Sequence, residues 1–199
     1  IKKSRITQRK KRNEAICISL AGYTNAGKST LMNKLTGANV YIKNELFATL
    51  DSTTKVLDLD ISQKILLSDT VGFIQKLPHE LVASFQTTLS DIKTSDLILK
   101  VIDASYDNLL MHIDTIEQTL EELDSSMIKS IFIFNKIDLI NSEQMKTLLN
   151  RYPESIFISC KNNTGINELI EYIRNNITRN YIRKNLRLKY NQLSFINDI

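Results

Sequence analysis

A short apolar run, Ala15 to Ala21, opens into Gly22-Tyr23-Thr24-Asn25-Ala26-Gly27-Lys28-Ser29-Thr30, and this junction restricts the architecture of the 199-residue chain more than any other feature. The spacing Gly22-x-x-x-x-Gly27-Lys28-Ser29 is that of a phosphate-binding loop, which needs a strand before it and a helix starting at its end. Successive backbone N–H groups then form a nest for an anion, and the helix turns its positive end toward the same point. Lys28 would bring a compact charge to the β- and γ-phosphates of a nucleotide, and the Ser29 hydroxyl would ligate Mg2+. All nine residues from Gly22 to Thr30 are therefore candidate nucleotide contacts.

The rest of the chain alternates short apolar runs with segments of helical period. That pattern predicts an α/β fold with helices on both faces of a sheet. Strands are expected at 15–21, 53–60, 63–69, 96–103, 129–135 and 155–159, giving a mostly parallel six-stranded sheet. Only Ile61-Ser62 separates the second and third, too short for a helical crossover, so this pair should be antiparallel. Helices should start near Gly27, Pro78, Tyr106, Asn141 and Gly165. The last is marked by Ile166, Leu169, Ile170 and Ile173 on one stripe. Together with the phosphate loop, this is the layout of a P-loop NTPase of the Ras-like GTPase kind.

Four further elements carry chemistry. Asp69-Thr70-Val71-Gly72 ends an apolar run about 40 residues after Lys28. An aspartate at such a strand end reaches the shell of a bound Mg2+, usually through water, while Gly72 lets a backbone N–H approach a γ-phosphate without a side-chain clash. Asn135-Lys136-Ile137-Asp138 closes the run Ile131–Phe134. The Asp138 carboxylate matches the ring N–H and exocyclic amine of guanine, and adenine offers no such donor pair, so GTP should be preferred over ATP. The Lys136 stem would lie over the base, and Asn135 would tie this loop to the phosphate loop. At Ser159-Cys160-Lys161 the backbone N–H of Cys160 would meet the guanine carbonyl oxygen. Finally, a switch needs a hydroxyl that ligates Mg2+ only while the γ-phosphate is present. Within Leu46–Thr54, chemistry alone admits Thr49, Ser52, Thr53 and Thr54, and spacing does not choose among them.

Composition limits the alternatives. No apolar run approaches the roughly 18 residues of a membrane span, and the basic amino end has no apolar segment behind it, unlike a secretory signal. Cys17 and Cys160 lie far apart, as ordinary thiols of a reducing compartment rather than a metal or disulfide framework. A cytoplasmic monomer is expected. The net charge of +4 is unevenly spread: residues 1–12 carry seven basic groups and no acid, residues 178–199 carry five against Asp198, and the stretch between holds 14 basic and 21 acidic residues. Basic ends on an acidic body suit a polyanion such as RNA, although charge runs also serve as solvated flanks.

The segments GYTNAGKST, LFATLDSTT, LSDTVGFIQKLPHELVASFQTTLSDI and VIDAS together resemble the HflX family of ribosome-associated GTPases, over residues 13 to 176. The resemblance implies that Thr49 is the switch ligand of Mg2+, which with Ser29 and Asp69 makes the metal set, and that Phe47, Ala48, Thr49, Leu50 and Asp51 belong to the nucleotide site. It assigns the catalytic work to Lys28, Thr49 and Gly72, and implies contact with the large ribosomal subunit and its rRNA, with a role in ribosome splitting or rescue. Residues 13–176 would then be a GTPase domain, 1–12 a basic remnant of the link to the N-terminal domain such proteins carry, and 177–199 a basic tail. Ser52 stands where the family usually has proline, and Cys160 where it commonly has alanine. Phe73 occupies the position where many GTPases place a glutamine that orients the attacking water, so hydrolysis without a partner should be slow. His79 is read as part of a helix start and His112 as a helix-surface residue, neither catalytic. A second reading is a guanine-nucleotide-dependent RNA-binding module with negligible hydrolysis of its own.

Overall fold

Alternating side chains along the central strands sort the chain into two cores, one on each face of a sheet. The computed structural model describes residues 15–37, 53–61, 63–70, 72 and 91–178. Its strands are β1 (Ala15–Gly22), β2 (Thr53–Leu57), β3 (Lys64–Asp69), β4 (Leu97–Asp103), β5 (Ser130–Asn135) and β6 (Ile156–Phe157). They form one sheet in the order β2-β3-β1-β4-β5-β6. β1 lies parallel to both β3 and β4, and β4, β5 and β6 continue in parallel. β2 runs antiparallel to β3 with Thr53 opposite Asp69, as the short connection requires.

Four α-helices are described in full, α1 (Lys28–Thr36), α2 (Leu109–Glu122), α3 (Ser142–Arg151) and α4 (Ile166–Thr178), beside a 3-10 turn at Ile137–Leu139. On one face, Ile16, Ile18 and Leu20 of β1, Leu97, Leu99 and Val101 of β4, and Ile131 and Ile133 of β5 pack with Leu31, Met32 and Leu35 of α1 and Leu169, Ile173 and Ile177 of α4. On the other, Ala21, Ile98, Ile102 and Phe134 meet Ile113, Ile116 and Leu120 of α2 and Leu148 of α3. The period of two in the strands and of three to four in the helices is what such a sandwich demands. A buried charge also faces the second core. Lys100, buried in β4, places its Nζ 2.6 Å from Glu117 Oε1 of α2 and 3.9 Å over the Phe132 ring.

The observed elements differ from expectation at their ends, for local reasons. The strand expected over 53–60 stops at Leu57, because Asp58 Oδ1 accepts the Asp60 N–H at 3.1 Å and Asp60 turns into the left-handed region at φ 53°. The strand expected over 155–159 shrinks to Ile156–Phe157. Ile158 N–H still donates to Phe134 O at 2.8 Å, but Ser159 then turns away to pair with Thr164. The helix expected near Tyr106 begins at Leu109, since a turn with Tyr106 N–H on Asp103 O intervenes. The start at Asn141 is closed by a reciprocal cap: Asn141 Oδ1 accepts from Glu143 and Gln144 N–H, and Gln144 Oε1 accepts from Asn141 N–H. The helix expected at Pro78 lies outside the described residues. Among the described residues no helix is long and apolar enough to cross a membrane.

Candidate functional site

Every chemistry-bearing segment among the described residues leaves the sheet at the carboxyl end of a strand, where β1 has β3 on one side and β4 on the other. Open α/β sheets place their ligand crevice at such a point. Gly22 ends β1 and Tyr23 to Gly27 follow it, Asp69 ends β3, Asn135 ends β5, and Ser159 follows β6.

The loop Tyr23–Gly27 turns through two left-handed residues, Asn25 at φ 60° and Gly27 at φ 94°. A Cβ at Gly27 would stand 2.3 Å from Asn135 Nδ2, so glycine is required there both by conformation and by room. Gly27 caps α1 with no side-chain hydrogen bond. The amides of the first turn are thus left to the crevice, as an anion cradle needs. Lys28 is buried, and its Nζ donates to Gly22 O at 3.0 Å and Tyr23 O at 2.9 Å. Desolvation pushes this ammonium down to about 8, with the Asp69 carboxylate acting in the opposite sense. Ser29 Oγ donates to Asp69 Oδ2 at 2.5 Å, joining the helix start to the end of β3. These are two hard oxygen donors, the kind that Mg2+ takes. Gly72 lies directly on the loop: a Cβ there would sit 2.8 Å from Thr24 Cα. Thr70, buried beside it, donates its hydroxyl to Leu20 O at 2.7 Å.

Asn135 joins the two halves of the crevice. Its Nδ2 donates to Ala26 O at 2.9 Å, and its Oδ1 accepts the Cys160 N–H at 3.2 Å. Ser159 Oγ donates to Asp138 Oδ1 at 2.6 Å and accepts Asn162 N–H, fixing the carboxylate that the sequence assigns to the base. Ile137 packs into the second core and its N–H donates to Ile158 O. Lys161 is exposed beside this loop. Cys160 is buried in the first core, and desolvation pushes its thiol up to about 11, so it carries no thiolate at neutral pH. Thr30 is half-buried in the first turn of α1. Phe47, Ala48, Thr49, Leu50, Asp51, Val71, Phe73 and His79 lie outside the described residues.

Two participants escaped the sequence reading. Asp103, at the end of β4, accepts Lys136 Nζ on Oδ2 at 2.6 Å and both the N–H and hydroxyl of Ser105 on Oδ1. It fixes the head of the lysine whose stem is expected over the base. The signal was present in Val101-Ile102-Asp103, an acid at a strand's end like Asp69. The second is His112, and here the expectation is corrected. His112 is not on the helix surface but 4% exposed, sandwiched between the rings of Tyr23 and Tyr106 at centroid distances of 3.9 and 4.0 Å.

The arrangement is shared with known proteins. A family model described as 50S ribosome-binding GTPase matches residues 17–136. The GTPase HflX of Caldanaerobacter subterraneus subsp. tengcongensis is 45% identical over 166 residues, 83% of this chain and 38% of that protein. The GTPase HflX of Escherichia coli is 38% identical over 175 residues, 86% of this chain and 41% of that protein. The chain thus spans less than half the length of these curated relatives. Among solved structures, a GTP-binding protein from Sulfolobus solfataricus in complex with GDP aligns with a TM-score of 0.66 and 29% identity, over 82% of this chain and 53% of that one. The FeoB G-domain from Methanococcus jannaschii, at a TM-score of 0.57 and 22% identity over 83% of this chain and 99% of that one, shares the fold alone. With its mixed sheet and phosphate loop of the P-loop GTPase fold, the chain belongs to the HflX family of 50S ribosome-binding GTPases.

Proposed function

We propose that this chain binds and slowly hydrolyses GTP, as an Mg2+-dependent switch read by the large ribosomal subunit. The observation that carries the reading is Asn135, whose two hydrogen bonds make one unit of the phosphate loop and the base loop. A loop pair held at both ends is preorganised for a ligand with a phosphate at one end and a base at the other. Asp138, held by Ser159 Oγ, accepts the two guanine donors, and Asn135, Lys136, Ile137, Ser159, Cys160 and Lys161 wall the base. Gly22 to Thr30 hold the phosphates through their amides and Lys28, with Asp69 and Gly72 beside them. The GDP complex of the Sulfolobus solfataricus protein supports GTP and GDP as the ligands.

Ser29 and Asp69 fit Mg2+ by the chemistry of their oxygens, and Thr49 completes the set that the resemblance implies. When bound, Mg2+ neutralises charge on the β- and γ-phosphate oxygens. Lys28 holds the transferring phosphoryl group from the other side. Because Phe73 offers no hydrogen bond to water, hydrolysis by the chain alone is slow and the partner supplies the acceleration. Loss of the γ-phosphate releases the segments around Thr49 and Gly72, and this release is what the ribosome reads in splitting or rescue. Such a role places the protein in the cytoplasm, with rRNA as the polyanion that the basic ends contact. Residues 13–176 are the switch domain, flanked by 1–12 and 177–199.

The test is GTP turnover by the purified chain with and without large ribosomal subunits, with Lys28→Ala as the control. Slow turnover that rises on adding subunits and disappears in Lys28→Ala is expected. Turnover that survives Lys28→Ala, or none under either condition, refutes the proposal.

A further inference from the structure

The phosphate loop is anchored at one end by Asn135, through Ala26 O. At its other end, Tyr23 provides the carbonyl that accepts Lys28 Nζ, and its ring lies flat on His112, 3.9 Å between centroids and 13° between planes. Tyr106 covers the opposite face of the imidazole at 4.0 Å and 15°. The three rings come from three separate places: the loop after β1, the turn after β4, and α2. Helix α2 is held in turn by Ile113, Ile116 and Leu120 in the core, so the stack links the loop to a rigid element. Among the described residues, neither ring nitrogen of His112 has a hydrogen-bond partner. What the imidazole does offer its neighbours is its two π faces, each covered by a tyrosine ring. Burial keeps the imidazole below its usual titration range despite the opposing Asp103 carboxylate, so at neutral pH the ring is uncharged.

We propose that His112 is a positioning residue for the nucleotide site, acting through Tyr23: the Tyr23–His112–Tyr106 stack holds the start of the phosphate loop in its ligand-ready form. The inference rests on the reading of that loop as a nucleotide site. The loop contains left-handed Asn25 and Gly27, a backbone course that persists only where its surroundings enforce it. Asn135 enforces the Ala26 end, and the stack enforces the Tyr23 end. Loosening Tyr23 frees the carbonyl under Lys28 and widens the cradle, so nucleotide is released faster while the chemistry at Asp138 is untouched.

The experiment follows release of a fluorescent GDP from the purified chain, wild type against His112→Leu, His112→Phe, Tyr106→Leu and Leu148→Ala. Losing a stacked aromatic pair corresponds to about a fivefold change in an equilibrium constant. His112→Leu should therefore speed release about fivefold, and His112→Phe, which restores a flat ring, should stay within about twofold of wild type. Leu148→Ala loosens the same core from α3, a helix that carries none of the three rings. It should lower the thermal midpoint and leave release unchanged, which separates positioning from general stability. Tyr106→Leu, at a position 44% exposed, gives the reading if His112→Leu does not fold, and should also speed release. Wild-type release rates in His112→Leu, equal acceleration in His112→Phe and Leu148→Ala, or an unfolded His112→Leu with an unaffected Tyr106→Leu would each overturn the positioning role alone. Failure of the wild-type chain to bind GDP at all would instead overturn the nucleotide reading beneath it.

Discussion

Lys28 shows how one buried side chain sets a property of the site. In the folded chain its ammonium sits in contact with two carbonyls and little water, and desolvation holds it near 8, below its ordinary value of 10.5. Between these values the unfolded chain binds more protons than the fold, so the fold without nucleotide gains stability as pH rises through about 8 toward 10.5. Phosphate needs the ammonium form, so nucleotide binding above pH 8 must take up a proton. GDP affinity is therefore expected to be flat below neutrality and to fall by up to about tenfold per pH unit above that point. Calorimetry at pH 8.5 in two buffers of different ionisation enthalpy reads this uptake directly. The absence of any net proton uptake would show that Lys28 is already charged in the empty loop. The residue identities at this scale were legible, because phosphate chemistry prescribes Gly27, Lys28 and Ser29 at fixed spacing. His112 was not. Its burial depends on Tyr23 and Tyr106 meeting over α2, a juxtaposition made by the sheet and invisible in the helix's own pattern. Asp103 was half legible: its place at a strand's end could be read, its partner Lys136 just beyond the next strand could not.

At the scale of elements, the connections decide how firmly the site is held. Helix α3 follows the base-recognition loop after only a few residues, and its start is fixed by the reciprocal cap between Asn141 and Gln144. Its mostly polar sequence buries only Leu148 fully, so local capping carries an unusual share of its stability. Asn141→Ala removes the acceptor for two backbone N–H groups and should cost about 1 kcal/mol, lowering the thermal midpoint by a few degrees. GDP affinity should stay the same, since Asp138 is held by Ser159 and not by α3. A change below a few tenths of a kcal/mol in chemical denaturation would show that the cap is redundant. Element type and order followed from apolar periodicity, and the antiparallel β2–β3 pair from the length of its connection. Element ends did not, because Asp58–Asp60 and Ser159–Thr164 stop their strands through side-chain and bridge contacts that periodicity does not encode. Lys100 is the other gap. In the sequence it reads as a break in an apolar strand, whereas α2 brings Glu117 and β5 brings Phe132 to accommodate it.

For the whole molecule, the decisive fact is that residues far apart in the chain close one crevice: Asn135 meets Ala26 across 109 positions, and Ser29 meets Asp69 across 40. The sheet order β2-β3-β1-β4-β5-β6 makes these meetings possible by setting β1 between β3 and β4, with β5 one strand further. A ligand that binds only this closed form stabilises the entire fold, by about 2.7 kcal/mol at a hundred times its Kd, or a rise of several degrees in Tm. The central claim is that the ligand is a guanine nucleotide, read by Asp138. Its most direct test is thermal unfolding of the chain and of Asp138→Asn with GDP, ADP and xanthosine diphosphate. Xanthine carries a carbonyl where guanine carries its amine, which an amide N–H can meet and a carboxylate cannot. The account predicts that GDP alone stabilises the wild-type chain and that Asp138→Asn exchanges this response for one to xanthosine diphosphate. Equal stabilisation of the wild-type chain by ADP, or an undiminished response of Asp138→Asn to GDP, would contradict it.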